Sequence, residues 1–456
     1  MTKSTIYTCM LLLILSTTRA ETQTAPDSIQ QYQYPRLAPK ANDFKVKANG
    51  KDIFVYQTSA APFAAFGCNG PVKIEVEMPS TSDNVQVSPL RLGIGTTING
   101  RTVTFTLPHP MNVALKINDM PQLYLYANAL EGDKPDTGSV AHYFKAGQVY
   151  EVGELNMTDN ERMYIEAGAI VRGCIRATGA KNISIGGYGV FDGGYYKPGS
   201  GEERSIVLRN CSNSIIEHII MIEPSSWMIV LGGCTDITVD DVKELGFVST
   251  SDGVDIVGSK HIRVKNCIFR NGDDCIAIKA MELKKHGSFC NNVDDVEVSG
   301  CTFVAYSGGH ALEIGHELQA DKVSNIRFTN CDIMGVHGFG GIFGIHNTDR
   351  AEISQLLYDD IRVEHYYNKL IDMRIVKSRY FKDEMRGKAH DIVFRNVVIT
   401  VSKYNPGYSF SIIGGYDAKH PIRHVTFDNV TLNGVKVTNA DQLDLFTKQT
   451  EHIQFK

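Results

Sequence analysis

The chain has no clustered run of lysine and arginine, no closely spaced Cys/His pairs of the zinc type, and no run of helical apolar periodicity on which a repeat could be built. Beyond its N-terminus it also lacks any apolar stretch near the roughly 20 residues that a membrane-spanning helix needs. Each absence removes a class of function. Without a concentrated basic face, and with a net charge of -5, nucleic acid is not expected as a partner, because phosphate binding draws on clustered cations. Without Cys/His pairs a structural zinc site is not expected. No metal and no cofactor is expected on these grounds, and a carbohydrate partner is left open.

The N-terminus reads MTKSTIYTCMLLLILSTTRAETQ. Lys3 stands in a short polar head, an apolar stretch follows from about Cys9 to Leu15, and Ala20 precedes a polar segment. This predicts a cleavable signal peptide over residues 1–20 and a secreted or periplasmic protein. Cys9 would leave with it, so nine of the ten cysteines remain, an odd number that leaves at least one thiol unpaired.

From about residue 160 the chain repeats itself: NISIGGYGVFDG from Asn182, DITVDDVKELG from Asp236, HIRVKNCIFRN from His261, DVEVSGCTFVA from Asp295, NIRFTNCDIMG from Asn325, DIVFRNVVIT from Asp391 and HVTFDNVTLNG from His424. Each opens on a polar residue, alternates for four or five positions, and runs into a Gly/Asn-rich corner. A spacing near 25 to 35 residues belongs to a solenoid. Alternation rich in Val, Ile, Thr and Phe makes the units strands, and parallel strands stacked coil on coil follow. Like residues should then form ladders ~4.8 Å apart. Cys267, Cys301 and Cys331 share one place in three successive repeats, which Val397 and Val430 take later. They read as small stacked core residues, with disulfides as the alternative.

Residues 21–150 differ. An Asn99-Gly100 hairpin signal lies between alternating runs, and GPVKIEVEMPS adds a further strand of antiparallel type. The expectation is an all-β chain: an N-terminal β-sandwich over 21–150, then a right-handed parallel β-helix over 151–456. The sandwich reads as a carbohydrate-binding module or, preferred here, as a cap on the solenoid's open end.

Asp273 and Asp274 adjoin in RNGDDCIAIK, and Asp252 in TSDGVDIVG precedes them by 21 and 22 residues. If that is one coil, three carboxylates cluster on one face, with His310 of SGGHALEIG in the next repeat. Crowded carboxylates oppose one another's ionisation, so one keeps its proton while another is charged. That supplies an acid and a base, the combination glycosidic hydrolysis needs. A turn role for the Asp pair and a Ca²⁺ site are the alternatives.

TSDGVDIVGSKHIRVKNCIFRNGDDCIAIK followed by SGGHALEIG resembles the polygalacturonase family, glycoside hydrolase family 28, whose motifs read NTDG, GDDC and GGHG on a right-handed parallel β-helix. PSSWMIVLGGCTDITVDDV, from Pro224, is similar to the segment one coil earlier. The resemblance covers about residues 160 to 430. A sandwich ahead of such a helix resembles glycoside hydrolase family 49, of dextranases and isopullulanases, where the first acid lies closer to the Asp pair. The resemblance implies a polysaccharide-cleaving enzyme in which Asp273 is the general acid, Asp252 and Asp274 hold and activate water, and His310 orients the acid. It implies inversion, whereas stacking alone brings the carboxylates close and by separation points to retention.

The departures bear on substrate. NTD is here Thr250-Ser251-Asp252, and GHG becomes Gly309-His310-Ala311. The family's cationic RIK, which grips a uronate carboxylate, has no counterpart: the stretch reads GGIFGIHNTDR, with Phe343 and either Ile345 or His346 in those places. Lys279, His310, Glu313, His346 and Arg374 are expected to bind substrate, with His316, Glu317, Asn347 and Arg350 as further candidates. A hydrolase of a pectin-like, dextran-like or other glycan, acting as a monomer, is the leading reading. A polysaccharide lyase using Lys279 and a non-catalytic glycan-binding solenoid are the alternatives.

Overall fold

The computed structural model describes residue 1 and residues 28–118, 122–132, 134–199, 204–401 and 405–456. Of the expected signal peptide, all but residue 1 lies outside the described residues, Cys9 included. Among the described residues no helix is long and apolar enough to cross a membrane.

From His142–Phe144 to Thr450–Phe455 the chain forms one continuous thirty-stranded solenoid in which strands pair in parallel with their equivalents on neighbouring coils, except Gly287–Phe289 and Val435–Lys436, which fold back antiparallel on the strands before them. The polar residue opening each repeat has a specific task. Asn182, Asp236, His261, Asp295, Asn325, Asp391 and His424 all have left-handed backbone, with φ of 58°, 57°, 55°, 52°, 56°, 56° and 53°. Asn, Asp and His enter that region at lower cost than branched or bulky residues, so they mark the corner at which the coil turns into its next strand. Asn266, Asn330, Asn396 and Asn429 form a second left-handed corner at the strand's far end.

Alternation between the corners points every second residue inward. Ile262, Val296, Ile326, Leu356, Ile392 and Val425 are register partners on successive coils. Deeper in, Phe328, Tyr358, Phe394, Phe427 and Phe455 stack ring on ring at centroid separations of 5.1, 4.9, 4.9 and 4.8 Å. Each fully buried ring contributes roughly 1.5–3 kcal/mol of transfer free energy.

The cysteine ladder is present. Cys267, Cys301 and Cys331 are buried, and the column continues through Ile361 to Val397 and Val430. Each thiol donates to the carbonyl two residues before it, Lys265, Ser299 or Thr329, at 3.2, 3.4 and 3.3 Å. The nine described cysteines are all free, so the disulfide alternative is not realised.

The N-terminal region is a sandwich of a six-stranded and a five-stranded sheet. Asn99-Gly100 turns the expected hairpin, pairing Thr97–Asn99 with Thr102–Leu107, with Gly100 at φ 61°. The expectation of an end cap is corrected. Tyr56, Phe63, Tyr124 and Tyr126 on the outer face of the six-stranded sheet pack against Ile170, Val190, Ile220, Leu245, Ile268, Val304 and Met334, residues on successive coils. The sandwich therefore lies lengthwise along one side of the solenoid, because its aromatic face matches an apolar column running along the helix rather than its open end.

Candidate active site

Register alone assembles the acids. Val254, Ile276, Leu312 and Phe343 are partners on four successive coils, so the residues two positions earlier, Asp252, Asp274, His310 and Gly341, occupy one column. Backbone bonds link them directly: Gly253 N–H donates to Asp274 O at 2.8 Å and Cys275 N–H to His310 O at 2.9 Å. Asp273, just before this column, is the least buried of the three aspartates. Gly309 is required here by space, since a Cβ on it would lie 2.0 Å from the Asp273 carbonyl carbon. In the Thr-Ser-Asp variant of the first motif, the Ser251 hydroxyl accepts from Gly272 N–H at 3.0 Å and ties the loop of Asp252 to the turn before the Asp pair.

The column opens into a cleft of about 570 Å³ whose lining includes Trp227, Thr250, Asp252, Asp273, Asp274, Lys279, His310, His316, Glu317, Arg379 and Tyr380. Its charges are divided unequally. Burial, reinforced by the charge of Asp274, pushes the Asp273 carboxyl up to about 7. Asp274 is buried too, but His310 donates to its Oδ1 through both backbone N–H at 2.7 Å and ring Nδ1 at 3.2 Å, and it is pushed down to about 2. At neutral pH one of two adjacent carboxyls therefore holds a proton readily while the other is ionised.

Asp252 sits beneath them with Lys279. The ammonium donates at 2.8 Å to Asp252 Oδ2 and at 2.8 Å to Asp255 Oδ1, and lies 3.9 Å from the centre of the Trp227 ring. One cation between two buried carboxylates leaves one negative charge in excess. Burial raises both acids, Asp252 well above its ordinary value and Asp255 to about 6, with Lys279 opposing the shift in each. Lys279 itself is held well above its ordinary value: burial opposes its charge, and Asp252 and Asp255 outweigh that.

Behind His310 runs a second, closed row. His310 Nδ1 lies 3.5 Å from Glu313 Oε2, and Glu313 Oε1 lies 2.8 Å from His346 Nδ1. His346 Nε2 is 2.9 Å from the Arg374 guanidinium and 3.5 Å from Asp372, which Lys369 and Arg374 also bind at 3.0 and 2.7 Å. Gly344 makes room, since a Cβ there would meet Glu313 Oε2 at 1.8 Å. Burial opposes charge on His346, and Glu313 and Asp372 overcome it, pushing the ring up to about 9.

The structure thus brings Asp252, Asp273, Asp274, Lys279 and His310 to the cleft and sets Glu313, His346 and Arg374 behind it. The expectation that Glu313 and His346 bind substrate is corrected, since both are buried; Arg374 is partly exposed, is engaged by Asp372 and does not line the cleft. Arg350 is taken by Asp321 and Asp383, and Asn347 donates to Ala351 O. Phe343 and Ile345 point into the core, and His346, the alternative to Ile345, is buried against Glu313 and Asp372, so no cation from these places reaches the cleft. His310, His346 and Asp372, and likewise Glu313, His316 and His346, could each offer three ligand atoms within 4.8 Å of one another. In the first group Lys369 and Arg374 already neutralise Asp372, which opposes a further cation there.

Sequence reading missed Asp255, Asp372, Trp227, Arg379 and Tyr380. Asp255 between Val254 and Ile256, and Asp372 between Ile371 and Met373, were marked by alternation, which turns both outward beside the site. Arg379 and Tyr380 lie after Lys369–Ile375, outside any repeat, and nothing in the pattern pointed to them.

Residues 148–449, more than half the chain, match the family model described as "Glycosyl hydrolases family 28". Among curated relatives, "Putative galacturan 1,4-alpha-galacturonidase C" of Aspergillus niger is 26% identical over 173 residues, 34% of this chain and 38% of its own length. A protein of the same description, with the suffix A, from Aspergillus flavus is 20% identical over 49% of this chain and 58% of its own length. The chain thus spans between 38% and 58% of these relatives. Among solved structures, Dex49A from Penicillium minioluteum superposes with a TM-score of 0.70 at 13% identity, covering 93% of this chain and 96% of its own, so the sandwich-plus-solenoid arrangement is shared. The family model's match over more than half of the chain shows that the chain belongs to glycosyl hydrolases family 28.

Proposed function

We propose that the protein is an exported glycoside hydrolase that cleaves a polysaccharide with inversion, using Asp273 as general acid, Asp274 as the carboxylate that activates the attacking water, and Asp252 beside it to help hold that water. The observation that carries this reading is the opposite displacement of two neighbouring carboxyls, Asp273 up to about 7 and Asp274 down to about 2. Protonation of a leaving oxygen needs an acid that keeps its proton at working pH, and water activation needs a carboxylate that does not. His310 supports the division by donating to Asp274, and Glu313 holds His310 from behind.

The cleft is built by a single chain, consistent with a monomeric enzyme. The names of the relatives support a galacturonide substrate, and the shared fold with Dex49A is compatible with a neutral one. The lyase reading is disfavoured by Lys279: an ammonium bound by two carboxylates does not serve as a base.

The test is stereochemical. Incubation with polygalacturonan, rhamnogalacturonan, dextran and pullulan, followed by proton NMR of the first product, should show the anomer opposite to the cleaved bond. Retention would reject the mechanism, and unsaturated products would favour a lyase. Mass spectrometry of exported protein should show loss of the first 20 or so residues, as a signal peptide requires.

A further inference from the structure

We infer that Glu313, His316 and His346 form a binding site for one divalent ion of the zinc class, entered from the cleft past His316, and that a bound ion draws Glu313 away from His310. The site itself stands apart from the glycoside hydrolase reading; only its effect on turnover rests on that reading.

Register brings the three together. Gly315 and His346 are partners on successive coils, which sets Glu313 and His316, on either side of Gly315, against the His346 ring. One ligand atom from each residue lies within 4.8 Å of the other two. Glu313 Oε1 and His346 Nδ1 are 2.8 Å apart, and the His316 ring stacks on His346 with centres 4.5 Å apart. Two further atoms point to a ligand. Glu313 Oε2 and His316 Nδ1 are buried with no hydrogen-bond partner among the described residues, and Glu313 as a whole is 0% exposed. A buried carboxylate oxygen without a partner is costly, and a cation satisfies it. Glycines flank the carboxylate on its own coil and on the next: a Cβ on Gly315 would lie 3.1 Å from Oε1, and one on Gly344 1.8 Å from Oε2.

Donor chemistry selects the ion. Two imidazoles and one carboxylate suit Zn²⁺, Co²⁺ or Cu²⁺, whereas Ca²⁺ and Mg²⁺ take sets of oxygens. Ligand distances of ~2.0–2.1 Å ask the three to draw together by about an ångström, which rotation of His316, the half-buried member, supplies. The outer contacts match those of a ligating histidine: Asp372 Oδ1 lies 3.5 Å from His346 Nε2, and a carboxylate in that place orients a metal-bound imidazole. Lys369 and Arg374 are bound to Asp372, and Arg374 meets the ring at Nε2, which leaves Nδ1 to the ion. The ion takes the place of the proton shared by Glu313 and His346. It also competes for Glu313 Oε2, 3.5 Å from His310 Nδ1, so that His310 loses the carboxylate behind it. Entry is from the cleft, whose lining includes His316 and Glu317.

The experiment titrates chelator-treated wild type, His316→Ala and Glu313→Gln with zinc chloride and with calcium chloride in a calorimeter, with no sugar present. Wild type should bind one Zn²⁺ per chain and no Ca²⁺, and each variant should lose ~10-fold or more in Zn²⁺ affinity, at least the cost of disturbing a ligand's support. Thermal melts check that both variants fold, and His316→Ala, at the cleft wall, decides the matter if Glu313→Gln unfolds. Equal zinc affinity in wild type and His316→Ala overturns the site, as does the absence of stoichiometric binding to wild type. On any glycan that the enzyme hydrolyses, Zn²⁺ should lower kcat over the concentrations that fill the site in wild type, and should not do so in His316→Ala. Full occupancy with unchanged kcat overturns the link to His310. Failure of hydrolysis on every glycan rejects the enzyme reading and leaves the zinc titration to decide the site.

Discussion

The Nζ of Lys279 lies 2.8 Å from Asp252 Oδ2 on the preceding coil and brings a full positive charge into the acid column. Lys279 holds the Asp273 pKa down, against burial and the charge of Asp274. Lys279→Met should therefore move the alkaline limb of kcat/KM upward, beyond the wild-type limb near pH 7, while lowering the maximum. A pH–rate profile of both proteins checks this. An unmoved limb would separate Lys279 from the acid.

Replacing the acid itself has a separate signature. Asp273→Asn should lose ~10²-fold or more in kcat, the usual size of a general-acid contribution. Substrates with good leaving groups, such as nitrophenyl glycosides, should lose far less, because their departure does not require protonation. A uniform loss on both would assign Asp273 to another step.

The same group should cost stability. A buried carboxyl raised to about 7 binds its proton more tightly folded than unfolded, so its contribution destabilises the fold progressively as pH climbs from ~4 to 7. Asp273→Asn removes that cost. Its Tm should exceed that of wild type at pH 8 by more than at pH 4, and thermal melts at the two pH values read the difference directly.

The aromatic column gives a prediction about the scaffold. Phe394 is stacked between Tyr358 and Phe427, and Phe394→Ala should destabilise by about 3–5 kcal/mol through lost transfer energy and an unfilled cavity. Denaturant unfolding measures it. Phe446→Ala, at an exposed ring in the last coils, should change stability by less than ~0.5 kcal/mol.

Much of this was legible because a parallel solenoid translates sequence spacing into position. Twenty-two residues separate Asp252 from Asp274, and that interval is one coil, so the column of acids could be read before any coordinates. The opening Asn, Asp and His residues were visible as a pattern, and their left-handed φ supplies its cause. Where the corner uses Gln355, at φ 57°, the repeat escaped notice, because Gln is not a typical occupant of that region. The sandwich's position was hidden for a different reason: packing against a column of single residues on many coils leaves no local signal. Glu313 and His346 were recognised as unusual, but only register shows that they stand behind His310. Arg379 sits on an irregular loop, where no periodicity constrains a side chain.

The account depends on unequal protonation of two adjacent aspartates, and carbon-13 NMR of aspartate-labelled protein measures it. Titration from pH 2 to 9, with Asp273→Asn and Asp274→Asn to assign signals, should show one carboxyl with a midpoint near 7 that vanishes in the first variant and another still ionised below pH 3 that vanishes in the second. If both instead titrate together near the ordinary ~3.9 of aspartate, the division of labour between acid and base proposed for this cleft is contradicted.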